Sequence, residues 1–142
     1  MDIERAMQLS YWLVDPFPKR IPESGAERYV QIEQFYLKQP QISDLRRKFA
    51  EILLKLSCYM SIRVSPDHGE HWTALPDPEE ALAQIVGCVG TKCLYFGVSS
   101  SDSVIILDGC DTYMTLFTED PALVKLVTQL ANAVGLFVWN GS

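Results

Sequence analysis

The pattern of apolar and polar residues predicts a series of short strands separated by amphipathic helices. Strands are expected where aromatic, β-branched and aliphatic residues cluster between turn-forming residues. The predicted strands are 7–14, 29–37, 59–64, 93–98, 104–107, 113–117 and 136–139. The segment 29–37 has a helix as its alternative, because the glutamate and glutamine residues within it also favour helices.

Three helices are predicted from apolar residues that recur every three to four positions. The first begins near Ser43, the second at Asp77-Pro78, where Glu80 can complete a capping box, and the third at Asp120-Pro121. The apolar stripe of the first helix consists of Leu45, Phe49, Ile52, Leu53 and Leu56. The basic residues 46–48 fall outside that stripe and are expected to form a solvated face.

The resulting order, β-β-α-β-α-β-β-β-α-β, predicts an α+β fold in which about three helices pack on a largely antiparallel sheet. Turns are expected at 99–102 and at Asp108-Gly109, a pair typical of hairpins. The length of 142 residues is that of one domain, and we expect residues 1–142 to form it.

The charge distribution divides the chain into unequal parts. Residues 1–63 contain ten Lys/Arg and eight Asp/Glu, whereas residues 64–142 contain two lysines against ten acids. An acidic field repels phosphate backbones, so nucleic acid is not expected as a partner, and a partner with a basic surface is. The alternative is that the acids only keep the domain soluble.

The chain is expected to be cytoplasmic and not to associate with a membrane. Its first residues, Met1–Arg5, lack the pattern of a signal peptide, and no apolar run approaches the length that spans a bilayer. The four cysteines, at positions 58, 88, 93 and 110, have no CxxC spacing and are expected to be reduced and mostly buried. Cys110 is expected to be the most exposed.

The loop 65–76 holds the most distinctive group of polar residues. Asp67, His68, Glu70 and His71 lie close enough in sequence to suggest metal ligands, or an enzyme that uses the two histidines. We favour solvated surface residues and predict no metal or other cofactor, because the helical HExxH pattern is absent and the loop contains proline and glycine.

No catalytic residue is predicted elsewhere. A nucleophilic Cys110 would need a neighbouring base, and the carboxylates beside it in the sequence disfavour the thiolate. The glycines in 86–90 match no phosphate-binding pattern and fall at the end of a predicted helix, where anions are disfavoured.

A protein-binding surface is the remaining interpretation. Trp72 is the kind of rigid aromatic residue that dominates interface energetics, although it could equally cover the sheet as part of the core. The acids that could surround it are Asp67, Glu70, Glu79, Asp102, Asp108 and Asp111.

Three segments carry a resemblance to known proteins: the opening strand 11–16, the hairpin 105–116, and the last helix leading into 135–139. Together they resemble the small acidic immunity proteins of bacterial toxin systems, whether contact-dependent or type VI secreted. The resemblance implies a protein without enzymatic activity that neutralises a cognate toxin by binding and blocking it. An adaptor or chaperone for a secreted effector is the alternative.

Overall fold

The computed structural model describes residues 1–99 and 101–142, and these form five α-helices and one seven-stranded sheet. The helices are α1 (Ile3–Ala6), α2 (Ala26–Tyr36), α3 (Gln41–Leu56), α4 (Pro78–Val86) and α5 (Pro121–Ala133). The strands are β1 (Tyr11–Asp15), β2 (Ile62–Ser65), β3 (Thr73–Ala74), β4 (Cys93–Val98), β5 (Ser103–Asp108), β6 (Met114–Phe117) and β7 (Phe137–Asn140).

The strands are ordered β3-β2-β4-β5-β6-β1-β7, and every neighbouring pair is antiparallel. This confirms the predicted α+β fold with an antiparallel sheet, although the helices are more numerous than the three expected. Strand β1 lies between β6 and β7, so the beginning and the end of the described chain are joined through the same sheet.

One face of the sheet is covered by helices. The helix α3 contacts both α4 and α5, and α5 also contacts β1 and β7. The apolar stripe predicted for α3 is buried throughout. It packs against alternate residues of the strands, because side chains of a strand point to opposite faces in turn. Those strand residues are Val14, Ile62, Val64, Leu94, Phe96, Val98, Ile105, Leu107, Met114 and Leu116.

The prediction of a strand at 29–37 is wrong, and the helical alternative is correct. Residues 26–36 form α2, none of whose residues is fully buried. Its half-buried apolar residues Tyr29, Ile32 and Tyr36 follow a helical spacing. A strand in this place would have to enter the sheet, whereas a helix buries these residues and leaves the polar ones in solvent.

Other boundaries differ less from the predictions. The first strand begins at Tyr11 instead of residue 7, since the residues before it form α1 and a turn. The helix α3 begins at Gln41 and is not capped by Ser43, whose hydroxyl binds the Gln39 side chain at 2.7 Å. Asp77 does cap α4. Of the predicted turn at 99–102, Ser100 lies outside the described residues.

The prediction that Arg46 is solvated is also wrong. Its side chain has no exposed surface, whereas Arg47 and Lys48 are exposed as predicted. The guanidinium donates hydrogen bonds to four backbone carbonyls, one just after α4 and three at the end of β5 and in the turn that follows it. These are the carbonyls of Cys88, Asp108, Gly109 and Asp111, at 2.9, 3.4, 3.2 and 2.9 Å. Arg46 thus joins α3 to the turn between β5 and β6.

The four cysteines carry free thiols. Cys110 is exposed as expected, but the prediction that the cysteines are mostly buried is wrong. Cys58 is exposed as well, because it lies just past the end of α3 on its solvent side. Cys88 is buried and Cys93 half-buried, and burial raises the pKa of the Cys93 thiol to about 11. Among the described residues, no helix has the length and apolar character needed to cross a membrane.

Candidate binding surface at one end of the sheet

Several acidic residues lie at the same end of the sheet. Strands β1, β2 and β5 end there, and β4, β6 and β7 begin there. The register shows this, because Ser65 pairs with Tyr95, Asp108 with Cys93 and Asp15 with Phe137. Five carboxylates lie at or just beyond these strand ends: Asp15, Asp67, Glu70, Asp108 and Asp111. We call this group the acidic end of the sheet.

The residues predicted for a binding surface are divided between the two ends of the sheet. Asp67, Glu70, Asp108 and Asp111 belong to the acidic end. Asp102 lies in the turn before β5, which is the opposite end, and Glu79 lies in the first turn of α4, beside the start of β2. A single partner surface of ordinary size can therefore contact the four acids of the acidic end more easily than those four together with Glu79 and Asp102.

The turn that carries Asp108 and Asp111 is held rigidly. Arg46 binds its carbonyls, and the Asp108 carboxylate accepts a hydrogen bond from the Cys110 amide at 2.9 Å. Gly109 lies so close to the loop before β4 that an added Cβ would fall 2.6 Å from the carbonyl carbon of Val89. The turn therefore needs glycine for a close backbone approach.

The Asp111 carboxyl is partly buried in this turn. Burial raises its pKa above the ordinary value, and the nearby charges of Asp108 and Glu33 raise it further. The charge of the buried Arg46 guanidinium offsets part of this effect.

The loop after β2 is organised around Asp67. One carboxylate oxygen accepts hydrogen bonds from the Ser65 hydroxyl and the His71 amide, at 2.7 and 2.9 Å, and the other contacts His71 Nδ1 at 2.5 Å. Asp67, Glu70 and His71 have potential ligand atoms within 4.8 Å of one another. Contacts with Ser65 and His71 occupy both oxygens of Asp67.

The two histidines contact different partners. His68 packs its ring edge-on against Tyr95, with 3.3 Å between its Nδ1 and the tyrosine hydroxyl, whereas His71 contacts Asp67.

The Asp67–His71 contact makes a testable pH prediction. The hydrogen bond to Asp67 raises the pKa of His71 above its ordinary value. Hydrogen bonds from the His71 amide, the His71 ring and the Ser65 hydroxyl lower the pKa of Asp67 to about 2. Because the pKa of His71 is raised in the folded protein, the contact stabilises the loop fully at pH values below the histidine pKa of the unfolded chain. This stabilisation is lost as the pH rises through the His71 pKa of the folded protein. NMR titration should show a raised His71 pKa that falls toward about 6.5 in Asp67→Asn. An unchanged His71 pKa in that variant would contradict the contact.

Trp72 lies over the sheet surface. An added Cβ on Gly97 in β4 would fall 3.2 Å from its ring, and one on Gly69 would fall 3.4 Å from it. The ring is half-buried, and its indole Nε1 is buried without a hydrogen-bond partner among the described residues. These contacts favour the alternative in which Trp72 covers the sheet.

The face of the sheet opposite α3, α4 and α5 is rich in aromatic residues and remains half-exposed. Apart from α1, which contacts β5, the principal helix contacts described for the sheet are made by α5 with β1 and β7. Tyr11 and Phe117 lie side by side on this outer face, with ring centroids 5.8 Å apart. Its half-buried residues are Tyr11, Leu13, Tyr95, Ile106, Thr115, Phe117 and Trp139.

A cavity of about 340 Å³ opens where this outer face meets the segment between β1 and α2. Leu13, Asp15, Tyr113 and Trp139 form its wall on the sheet side. The opposite wall consists of Lys19, Arg20, Ile21, Pro22, Glu23, Ala26 and Tyr29. Sequence reasoning missed this cavity, because an aspartate before a proline at the end of a strand is typical of a turn.

Asp15 is the unusual residue of the cavity. It is only 4% exposed, and its Oδ2 accepts a hydrogen bond from the Trp139 indole at 3.0 Å, while Oδ1 has no partner among the described residues. Burial raises the pKa of this carboxyl, and the Trp139 hydrogen bond and the nearby Phe17 backbone amide offset part of the effect.

No protein-family model matches the chain, and neither a curated protein nor a solved structure matches it.

Proposed function

We propose that this protein is an immunity protein: it binds a cognate bacterial toxin that has a basic surface and blocks it. The observation that carries the proposal is the placement of four carboxylates, those of Asp67, Glu70, Asp108 and Asp111, at the same end of a sheet whose outer face is aromatic. The net charge of −6 adds a long-range attraction to a basic partner.

The composition of this region suits binding to a protein. Aromatic residues contribute most of the energy of interfaces, and charged residues at the rim guide the encounter and set specificity. The rigid turn at 108–111 supports the same use, since a surface that is already ordered loses little conformational entropy on association.

Neutralisation can be tested directly. Toxins from open reading frames beside this gene would be expressed alone and together with the protein, and survival of the host cells would be measured. We expect one toxin to be lethal alone and harmless in the pair, and its purified activity to be inhibited by an equimolar amount of this protein. A complex that forms but retains toxin activity would indicate an adaptor or chaperone. Lethality unaffected by co-expression, for every adjacent toxin, would contradict the proposal.

The acidic end makes a kinetic prediction. The double variant Asp108→Asn/Asp111→Asn should associate with the toxin at least several-fold more slowly at low salt, and its association rate should depend less on salt. Dissociation should change less, because charges at the rim act mainly on encounter. Stopped-flow binding at two salt concentrations measures both rates.

The matched control is Glu79→Gln/Asp102→Asn, which removes the same charge away from the acidic end. The asparagine substitutions leave the carbonyls bound by Arg46 unchanged, so the turn should keep its conformation. Equal effects of the two double variants would show that only net charge matters and would reject the acidic end as the recognition surface.

A further inference from the structure

We infer that the cavity beside Asp15 receives the guanidinium of an arginine side chain from the partner protein. The inference rests on the proposed function for the source of the arginine. It adds a specific pocket to the acidic end and names the group that enters it.

The buried carboxylate is the first reason. Asp15 is more than nine-tenths buried in the cavity wall, and its Oδ1 has no hydrogen-bond partner among the described residues. Lys19 and Arg20 also line the cavity, yet neither forms an ion pair with Asp15 in the described chain. A buried carboxylate oxygen without a donor is costly, and a charged donor removes that cost most effectively.

The aromatic walls are the second reason. Tyr29, Tyr113 and Trp139 border the cavity together with the apolar side chain of Leu13. A planar guanidinium can stack on aromatic rings while its N–H groups bind a carboxylate, whereas an ammonium is more strongly hydrated and has no flat face. The volume of about 340 Å³ is within the usual range for ligand sites.

The surrounding charges are the third reason. Burial is the largest cause that raises the pKa of Tyr29, to about 12, and the charges of Glu33 and Asp15 raise it further. Burial likewise raises the pKa of Tyr113, with further contributions from the charges of Asp111, Glu33 and Asp15. The carboxylates of Asp15, Glu33 and Asp111 therefore act on the hydroxyls of the cavity wall and favour a cation beside them, although Lys19 and Arg20 also line the cavity.

The test uses capped arginine, N-acetyl-arginine N-methylamide, which mimics an arginine within a protein chain. It is titrated into the full-length protein while the Trp139 indole N–H is followed by ¹H–¹⁵N NMR. We expect a saturable shift of that resonance, and at least ten-fold weaker binding in Asp15→Asn. Capped citrulline, which has a similar shape without the charge, should cause no saturable shift over the same concentrations.

Two controls separate the carboxylate from general charge and from folding. Asp102→Asn, at the other end of the sheet, should bind capped arginine as the unchanged protein does. If Asp15→Asn does not give a folded spectrum, Glu33→Gln takes its place and should weaken the binding of capped arginine measurably. The comparison of capped arginine with capped citrulline uses the unchanged protein and does not depend on the folding of a variant.

The inference is overturned if capped citrulline binds as well as capped arginine, if Asp15→Asn binds with unchanged affinity, or if the Trp139 resonance does not move. Tighter binding of capped lysine would reject the guanidinium, and tighter binding of free arginine would indicate a metabolite site instead of a partner side chain. Because no toxin takes part in the titration, its failure is distinct from a failure of neutralisation.

Discussion

Replacing Arg46 by methionine should lower the free energy of unfolding by about 3 kcal/mol or more. The guanidinium is fully buried and donates to the carbonyls of Cys88, Asp108, Gly109 and Asp111. Methionine fills a similar volume but donates no hydrogen bond, so buried carbonyls lose their partner. In a chain of this length the loss corresponds to roughly 10 °C in melting temperature.

The neighbouring arginine provides a matched control. Arg47 is exposed and forms a surface ion pair with Asp44, at 3.1 Å on the same helix. Such pairs contribute well under about 1 kcal/mol, so Arg47→Met should leave the melting temperature nearly unchanged. Arg46→Lys keeps the charge but not the planar fork of donors, and should fall between the two. Chemical denaturation of the three variants gives the free energies. Equal stabilities of Arg46→Met and Arg47→Met would contradict the role of Arg46.

The same substitution should also disturb the acidic end. The carbonyls held by Arg46 belong to the turn that carries Asp108 and Asp111, so its loss should loosen both carboxylates. Hydrogen exchange should increase at residues 108–111 in Arg46→Met and remain unchanged in Arg47→Met.

Much of the fold follows from local patterns in the sequence. The capping residues Asp77 and Asp120, each followed by proline, locate the starts of α4 and α5. The strands of the 93–117 region were predictable because continuous apolar segments there are separated by turn residues. The prediction for segment 29–37 is wrong because a short run of aromatic, β-branched and amide residues fits both a strand and a helix. Which of the two forms depends on whether the sheet has a free edge where the segment could pair.

The environment of charged residues was less predictable. In the sequence, Arg46 stands beside the exposed Arg47 and Lys48 and is therefore predicted to be solvated. Its carbonyl partners lie in the turns before β4 and after β5, which come together only in the folded structure. Asp15 is similar: its burial depends on Trp139, which is 124 positions away in the chain. The contact between Asp15 and Trp139 arises from the pairing of β1 with β7, which local periodicity does not encode.

The candidate surface was predicted in part. Charge and loop position predict a surface role for the acids at positions 67, 70, 108 and 111, and the strand register brings them to one end of the sheet. The same features predict this role for Glu79 and Asp102, which lie elsewhere because strand order and direction decide which loops are neighbours.

Trp72 has two candidate roles, as an anchor of the toxin interface or as a residue that covers the sheet, and its contacts favour the second. Trp72→Ala should lower the free energy of unfolding by about 2 kcal/mol, because the ring packs near Gly97 and Gly69 but is only half-buried. Trp72→Phe should be much milder, since it keeps an aromatic ring and removes an indole N–H that is buried without a described partner.

Thermal denaturation of the two variants measures this difference, and toxin dissociation measured on the same proteins tests the other role. If Trp72 covers the sheet, Trp72→Ala melts at a lower temperature while Trp72→Phe dissociates from the toxin at the unchanged rate. If the alanine variant kept its melting temperature and released the toxin at least ten-fold faster, the ring would instead be an anchor of the interface. In that case the recognition surface would extend from the acidic end across β4 on the outer face, since Gly97, which the ring approaches, lies in that strand.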